Sequence, residues 1–222
     1  MRSEERGAKV DFAPLRDRLR HIYWLGGGSC AGKSTVAHRL ADQYGLYLYA
    51  TDDAMAEHSR RSKPEDSPRL HEFIAMSMDE RWVNRSPAIM LETFHWFRGE
   101  GFNMIIDDLL LIPATVPVIV EGLRLLPHLV KPMLSAQNHA VWLLPSPEFR
   151  EATLERRGGR TWGFLAKTSD PERARQNVLD RDRMFTDRLR REINSLELRA
   201  IEVQHTIDED HSARLVAEIF GL

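Results

Sequence analysis

Eight consecutive residues carry the clearest chemistry in the chain: Gly27, Gly28, Ser29, Cys30, Ala31, Gly32, Lys33 and Ser34, spaced as G-x-x-x-x-G-K-[ST]. Each part of that spacing has a physical reason. The glycines let the backbone curl so that successive N–H groups face one concavity, and the following helix adds the positive partial charge of its N-terminus. Lys33 is placed to reach the outer phosphates of a nucleoside triphosphate, Ser34 to offer its hydroxyl to Mg2+, and Thr35 to complete the nucleotide contacts. Cys30 is read as a small residue that fits the loop rather than as a redox group.

Phosphate binding alone does not say what receives the phosphoryl group, so acidic and basic residues elsewhere must decide. Asp52 and Asp53 follow the strand-like run Leu46 to Ala50. There they would orient and deprotonate an acceptor hydroxyl, or else cap the next helix. Glu121 follows the apolar run Pro117 to Val120, where a carboxylate is costly unless it meets a cation; a contact to Mg2+ through water would meet that need. Arg156, Arg157 and Arg160 surround a Gly158-Gly159 break, with Arg181 and Arg183 further on, and a mobile lid could bring such guanidinium groups onto transferring phosphate. Arg60, Arg61, Arg81, Arg85 and Arg124 could grip an anionic acceptor, although their spacing fits a solvated surface equally well.

The elements that must position these residues follow from pattern. His21 to Gly26 reads as a buried first strand, and Ser34 to Tyr44 as a helix stopped by Gly45. Leu46 to Ala50, Pro117 to Val120, Val141 to Leu144 and Ala200 to Val203 complete five strands. Helices are expected over Leu123 to Leu134 with a break at Pro127, over Pro147 to Arg157, over Pro171 to Leu198 and over Ser212 to Phe220. Between the second and third strands, residues 51–116 read as a helical insertion rich in Met and aromatics, broken at Pro64, Pro68 and Pro87. Its rings are read as core rather than as stacking platforms. Residues 156–183 form the lid-like region of what is otherwise one domain over 1–222.

On GGGSCAGKST, the strand end LYLYATDDAM, VIVEG, and RRGGR followed by RDR, the chain resembles the P-loop kinases of small molecules, the nucleoside and nucleotide kinase-like family with uridine, shikimate, gluconate and cytidylate kinases among its members. The resemblance runs from about His21 onward. It implies an α/β P-loop NTPase fold with a five-stranded parallel sheet in the order 2-3-1-4-5. It implies ATP and Mg2+ as cofactors and transfer of the γ-phosphate to a hydroxyl of a small metabolite, with a nucleoside as one candidate. A nucleoside monophosphate acceptor and a non-catalytic nucleotide-binding protein are the alternatives. Asp52 would be the base beside Asp53, Lys33 would stabilise the transferring group, Glu121 would organise the metal, Arg156 or Arg157 would stack on adenine, and Arg160 would be the lid arginine. Arg124 is the insertion-side candidate for the acceptor.

Composition sets the remaining bounds. With 31 basic and 33 acidic side chains in 222 residues, the net charge of −2 gives no overall field for nucleic acid. A local excess does exist, since Arg156 to Arg191 holds 11 basic against 5 acidic residues. A single cysteine excludes an intrachain disulfide, and the charged stretch MRSEERGAKVDFAPLRDRLR has no apolar core of a secretory signal. A cytoplasmic protein with no membrane partner is expected, and a homodimer stays open. A regulatory GTPase is disfavoured, because the one D-x-x-G, Asp42 to Gly45, ends a helix and no N-K-x-D occurs. The nine scattered histidines and lone cysteine offer no protein-held zinc set.

Overall fold

The computed structural model describes residues 11–204 and 209–222. The first half of the charged N-terminal stretch, read above as lacking a signal core, lies outside the described residues. Five strands, β1 (Ile22–Gly27), β2 (Tyr47–Ala50), β3 (Val118–Glu121), β4 (Ala140–Pro145) and β5 (Ala200–Val203), form one sheet in the order β2-β3-β1-β4-β5. All four pairings are parallel, with Ile22 opposite Val118 and Trp24 opposite Ala140. Parallel strands need crossovers, and the helices that supply them cover both faces of the sheet.

Period-two alternation divides the strand residues between those faces. Trp24, Val118, Val120, Trp142 and Leu144 join one core, packed against α10 (Pro171–Ser195) and the insertion helices. Leu25, Ile119, Val141 and Leu143 join the other, beneath α2 (Lys33–Tyr44) and α11 (Glu209–Phe220). Burial on both faces explains why these strands read as unbroken apolar runs. Gly32 (φ 80°) opens α2 and Gly45 (φ 65°) closes it, both in the left-handed region that glycine enters without steric cost.

Between β2 and β3 the chain forms α3 (Met55–Arg61), α4 (Pro68–Ala75), α5 (Met78–Trp82), α6 (Pro87–Thr93) and α7 (Phe102–Leu110). Pro68 and Pro87 sit at first turns, where a missing N–H costs nothing, and Ser77 closes a capping box with Glu80. Helix α1 (Ala13–Arg18) precedes the sheet. Helices α8 (Pro127–Val130) and α9 (Pro147–Arg156) flank β4. Among the described residues no helix is long and apolar enough to cross a membrane.

Several expectations need correction. The helix expected over Leu123 to Leu134 is only α8 followed by a 3-10 turn, Lys131–Met133, because Pro127 and Pro132 can start helical turns but not continue them. The third strand runs one residue later than expected and includes Glu121. Helix α10 stops at Ser195, and α11 begins earlier, at Glu209. Several arginines of the basic segment are also paired along α10. Arg175 pairs with Glu151, Glu155 and Glu172, Arg190 with Glu202 and Asp187, Arg188 with Glu92, and Arg183 with Asp180.

One close approach holds the sheet to the segment after β3. The indole N–H of Trp142 donates to the Leu125 carbonyl at 2.8 Å, and Gly26 leaves the room for that ring. A Cβ on Gly26 would overlap the indole and lie 2.9 Å from the Leu125 oxygen. Gly26→Ala should therefore destabilise the fold by about 1–3 kcal/mol, as overpacked cores do. Urea unfolding checks this, and an unchanged midpoint would show that the ring can move aside.

Candidate functional site

The carboxyl ends of β1, β2 and β3 converge at one place, as open α/β sheets require of their sites. From β1 the chain passes through Gly27 (φ 134°) into the loop, where the Gly28 N–H donates to the Leu143 carbonyl at 2.9 Å. A Cβ on Gly28 would crowd Pro145 and the Thr186 hydroxyl, so this glycine is needed for closeness to β4 and α10. Cys30 is held at φ 60° and is nearly buried, with its thiol beside the Ser29 hydroxyl at 3.9 Å. That left-handed backbone is strained for any residue that carries a Cβ.

Lys33, only 8% exposed, donates from Nζ to the Gly28 carbonyl at 2.7 Å, so the ammonium is folded over its own loop. Burial pushes its pKa down, against the attraction of Glu121 and Asp52. Glu121 is buried at the end of β3, and its Oε1 accepts a hydrogen bond from the Ser34 hydroxyl at 2.9 Å. Burial pushes this carboxyl up, while Lys33 and the Ser34 hydrogen bond pull it down. Gly122 (φ 152°) follows, and a Cβ there would strike the Thr51 side chain, which fixes the ends of β2 and β3 side by side. The Thr51 N–H completes that contact by donating to the Glu121 carbonyl at 2.9 Å.

Asp52 lines the cavity in front of the loop; Asp53 does not. Neither caps a helix, because the N-cap of α3 is Ala54 and has no side-chain hydrogen bond. The capping alternative for this pair therefore fails. Ser34, Glu121 and Asp52 together present hard oxygen donors beside the phosphate loop, a donor set that suits Mg2+ and suits softer metals poorly.

Two cavities flank the loop. One, of about 400 Å³, is bounded by Ser29 to Thr35, Asp52, Glu121, the insertion and α10. The other, of about 210 Å³, lies between the loop, α9, the end of β5 and the start of α11, and includes Arg156 and Arg157. Arg157 reaches both cavities, with its guanidinium 5.8 Å from the Trp162 ring centre.

Other candidates fall elsewhere. Arg160 is exposed and borders neither of the two cavities, and Arg183 is exposed and paired with Asp180. Arg124 is buried and holds the structure from within. Its guanidinium donates to the Gly101 carbonyl at 2.9 Å, with His58 Nδ1 at 3.0 Å, and it lies outside the loop-facing cavity. Arg61, Arg81 and Arg85 are likewise engaged by Asp108, the Ile74 carbonyl and the Thr93 hydroxyl.

The insertion's aromatics are core and cavity wall at once. Phe73, Trp82, Phe94, Trp96 and Phe97 all face the larger cavity, which departs from a purely structural reading of them. Sequence reasoning also passed over Asp182, Trp162 and Phe164. A signal for Asp182 exists in the helical spacing: Val178, Arg181, Asp182, Phe185 and Leu189 share the buried face of α10, so two charged residues occupy core positions.

A family model described as an AAA domain matches residues 22–189. The chain belongs to this P-loop family. The matched span takes in all but the last of the strands, the phosphate loop, the insertion and most of α10, so the loop's nucleotide-binding geometry is a family property. No curated protein matches the chain.

Behind the cavity wall sits His95, 2% exposed and packed at tilted and edge-on angles against Phe73, Phe94 and Trp96, with neither ring nitrogen hydrogen-bonded. Burial first, and then Arg124, Arg181 and Arg81, push its pKa down to about 3. The folded ring stays neutral to that pH, whereas the unfolded chain takes up the proton near 6.5. Stability is thus lost as pH falls from 6.5 toward 3, by up to roughly 1.4 kcal/mol per pH unit from this group. His95→Leu should flatten that acid limb in urea titrations between pH 7 and 4; an unchanged slope would place the proton uptake elsewhere.

Proposed function

We propose that the protein is a Mg-ATP-dependent phosphotransferase that moves the γ-phosphate to a hydroxyl of a small metabolite. The observation that carries this reading is the pair of cavities meeting at one phosphate loop. A hydrolase needs room for one nucleotide and a water, whereas a kinase must seat two organic substrates on either side of the transferring group. The smaller cavity, with Arg156 and Arg157 at its edge, suits the base of the donor. The larger one, with Asp52 on its wall, suits the acceptor.

In this reading the nucleotide's phosphates occupy the concavity of Gly27 to Thr35, and Lys33 exchanges the Gly28 carbonyl for phosphate oxygen. That exchange replaces a neutral partner with an anionic one around a nearly buried cation, so the gain is large where water is excluded. Ser34 and Glu121 would hold Mg2+, which when bound neutralises charge on the phosphate oxygens. Asp52 accepts the proton of the acceptor hydroxyl as it attacks in line. Because it borders both cavities, Arg157 is the guanidinium that this reading assigns to the transferring phosphate, in place of Arg160.

The test is release of ADP from Mg-ATP across nucleosides, nucleoside monophosphates, sugars, hydroxy acids and aromatic alcohols, with Lys33→Ala as the blank. Stimulation by one class that vanishes in the blank supports the reading. ATP binding with no stimulation by any class overturns it in favour of a nucleotide-binding protein without transfer. With the active acceptor, Asp52→Asn should lower kcat by roughly 10²–10⁴-fold while ATP affinity holds. Loss of ATP affinity in that variant would assign Asp52 to the nucleotide instead.

A further inference from the structure

We infer that the acceptor is an uncharged planar alcohol carrying a carbonyl-type oxygen, and that Arg181 is the residue that reads this oxygen. The inference rests on the phosphotransferase reading for its use of the larger cavity as the acceptor site. Its own evidence is the chemistry of the walls. Phe73, Trp82 and Trp96 of the insertion, Trp162 and Phe164 of the segment between α9 and α10, and Phe185 of α10 surround the space in front of the loop. Such walls reward flat apolar faces. An aliphatic polyol offers them few and brings hydroxyls that rings cannot satisfy.

Charge narrows the class further. The cavity's cations are Lys33, Arg157 and Arg181, and its anions Asp52, Glu121 and Asp182. Lys33 belongs to the donor phosphates, and Arg157 lies exposed at the rim shared with the donor side. Arg181 is buried and already neutralised: its Nε and Nη2 donate to Asp182 Oδ1 at 2.9 and 2.7 Å. With Lys33 and Arg157 engaged by the phosphates in the proposed reading and Arg181 paired, no further lining cation is left to balance a charge on the acceptor, and Asp52 would repel an anionic one.

Arg181 still has something to give. Its guanidinium is packed against Trp82, Phe94 and Phe97, with the carbon 5.3, 4.9 and 5.3 Å from their ring centres. Its Nη1 is buried and has no hydrogen-bond partner. A buried N–H left unpaired is costly, and an oxygen brought by the ligand would satisfy it without adding charge. Asp182 and the rings hold the fork in one plane, so the oxygen would be read by position as well as by chemistry.

Calorimetric titration of the full chain tests this apart from catalysis. The ligands are nucleosides with a ring carbonyl, aryl alcohols with an amide carbonyl, the carbonyl-free aryl alcohols, nucleoside monophosphates and hexoses. Carbonyl-bearing neutral ligands of the first or second kind should bind at least about ten-fold more tightly than the other three, and which of the two leads identifies the source of the planar group. Arg181→Lys keeps the charge but loses the fork, and should erase the preference for the carbonyl while carbonyl-free binding holds. Should that variant fail to fold, Trp96→Leu, at a partly buried wall position, should weaken all planar ligands about ten-fold or more and leave ATP affinity unchanged. Equal or tighter binding of monophosphates or hexoses, a carbonyl preference that survives Arg181→Lys, or no binding by any ligand overturns the inference. Tight carbonyl-dependent binding without phosphoryl transfer would instead sink the kinase reading, and with it the word acceptor, while the ligand class of the cavity and the role of Arg181 would stand.

Discussion

A nearly buried ammonium sets the terms for the rest of this molecule. Lys33 is withdrawn from water at the start of α2, and a charge so placed must find compensation from fixed groups. The Gly28 carbonyl supplies a direct contact, and Glu121 and Asp52 supply the field. Those three partners come from the ends of β1, β3 and β2, so the strand order of the sheet is also the wiring of the site. Glycines at 27, 28 and 122 matter because they let these ends approach closely enough for the compensation to work.

The second pattern is the use of charge inside an aromatic shell. Arg181 and Asp182 are adjacent residues on α10, buried together, and the guanidinium is roofed by rings from the insertion. A buried ion pair by itself contributes little net stability, because desolvation offsets most of the attraction. Here it ties the long helix to the inserted segment at the wall of the larger cavity. The same segments also meet through Asn177, whose amide donates to the Trp82 and Val83 carbonyls at 3.0 and 3.2 Å.

Much of this was legible in the residues. The phosphate loop is encoded by contiguous positions, and the strands, buried on both faces, announce themselves as apolar runs; the sheet order follows the resemblance and is observed. Glu121 could be singled out because a carboxylate ending such a run needs a reason. The arginines could not be sorted this way. Arg157 and Arg160 stand three residues apart beside the same glycines, yet one borders both cavities and the other neither. Arg124, a candidate for the acceptor whose spacing fits a solvated surface equally well, is an internal strut, because its partners, the Gly101 carbonyl and His58, lie far away in sequence. The dual role of the insertion's rings was hidden for a related reason: helical spacing shows which side is apolar, but not whether a neighbouring element closes over it.

Arg157 belongs to no single compartment. It stands over Trp162 on a stretch where Gly158, Gly159 and Gly163 all have positive φ, and it contributes to the wall on either side of the phosphate loop. Any occupant that draws this side chain to one side takes it from the other. Free-energy coupling between two binding events is reciprocal, so a shift in affinity on the α9 side must return with equal magnitude from the insertion side. With both halves of the cleft occupied, one exposed guanidinium would thereby couple them.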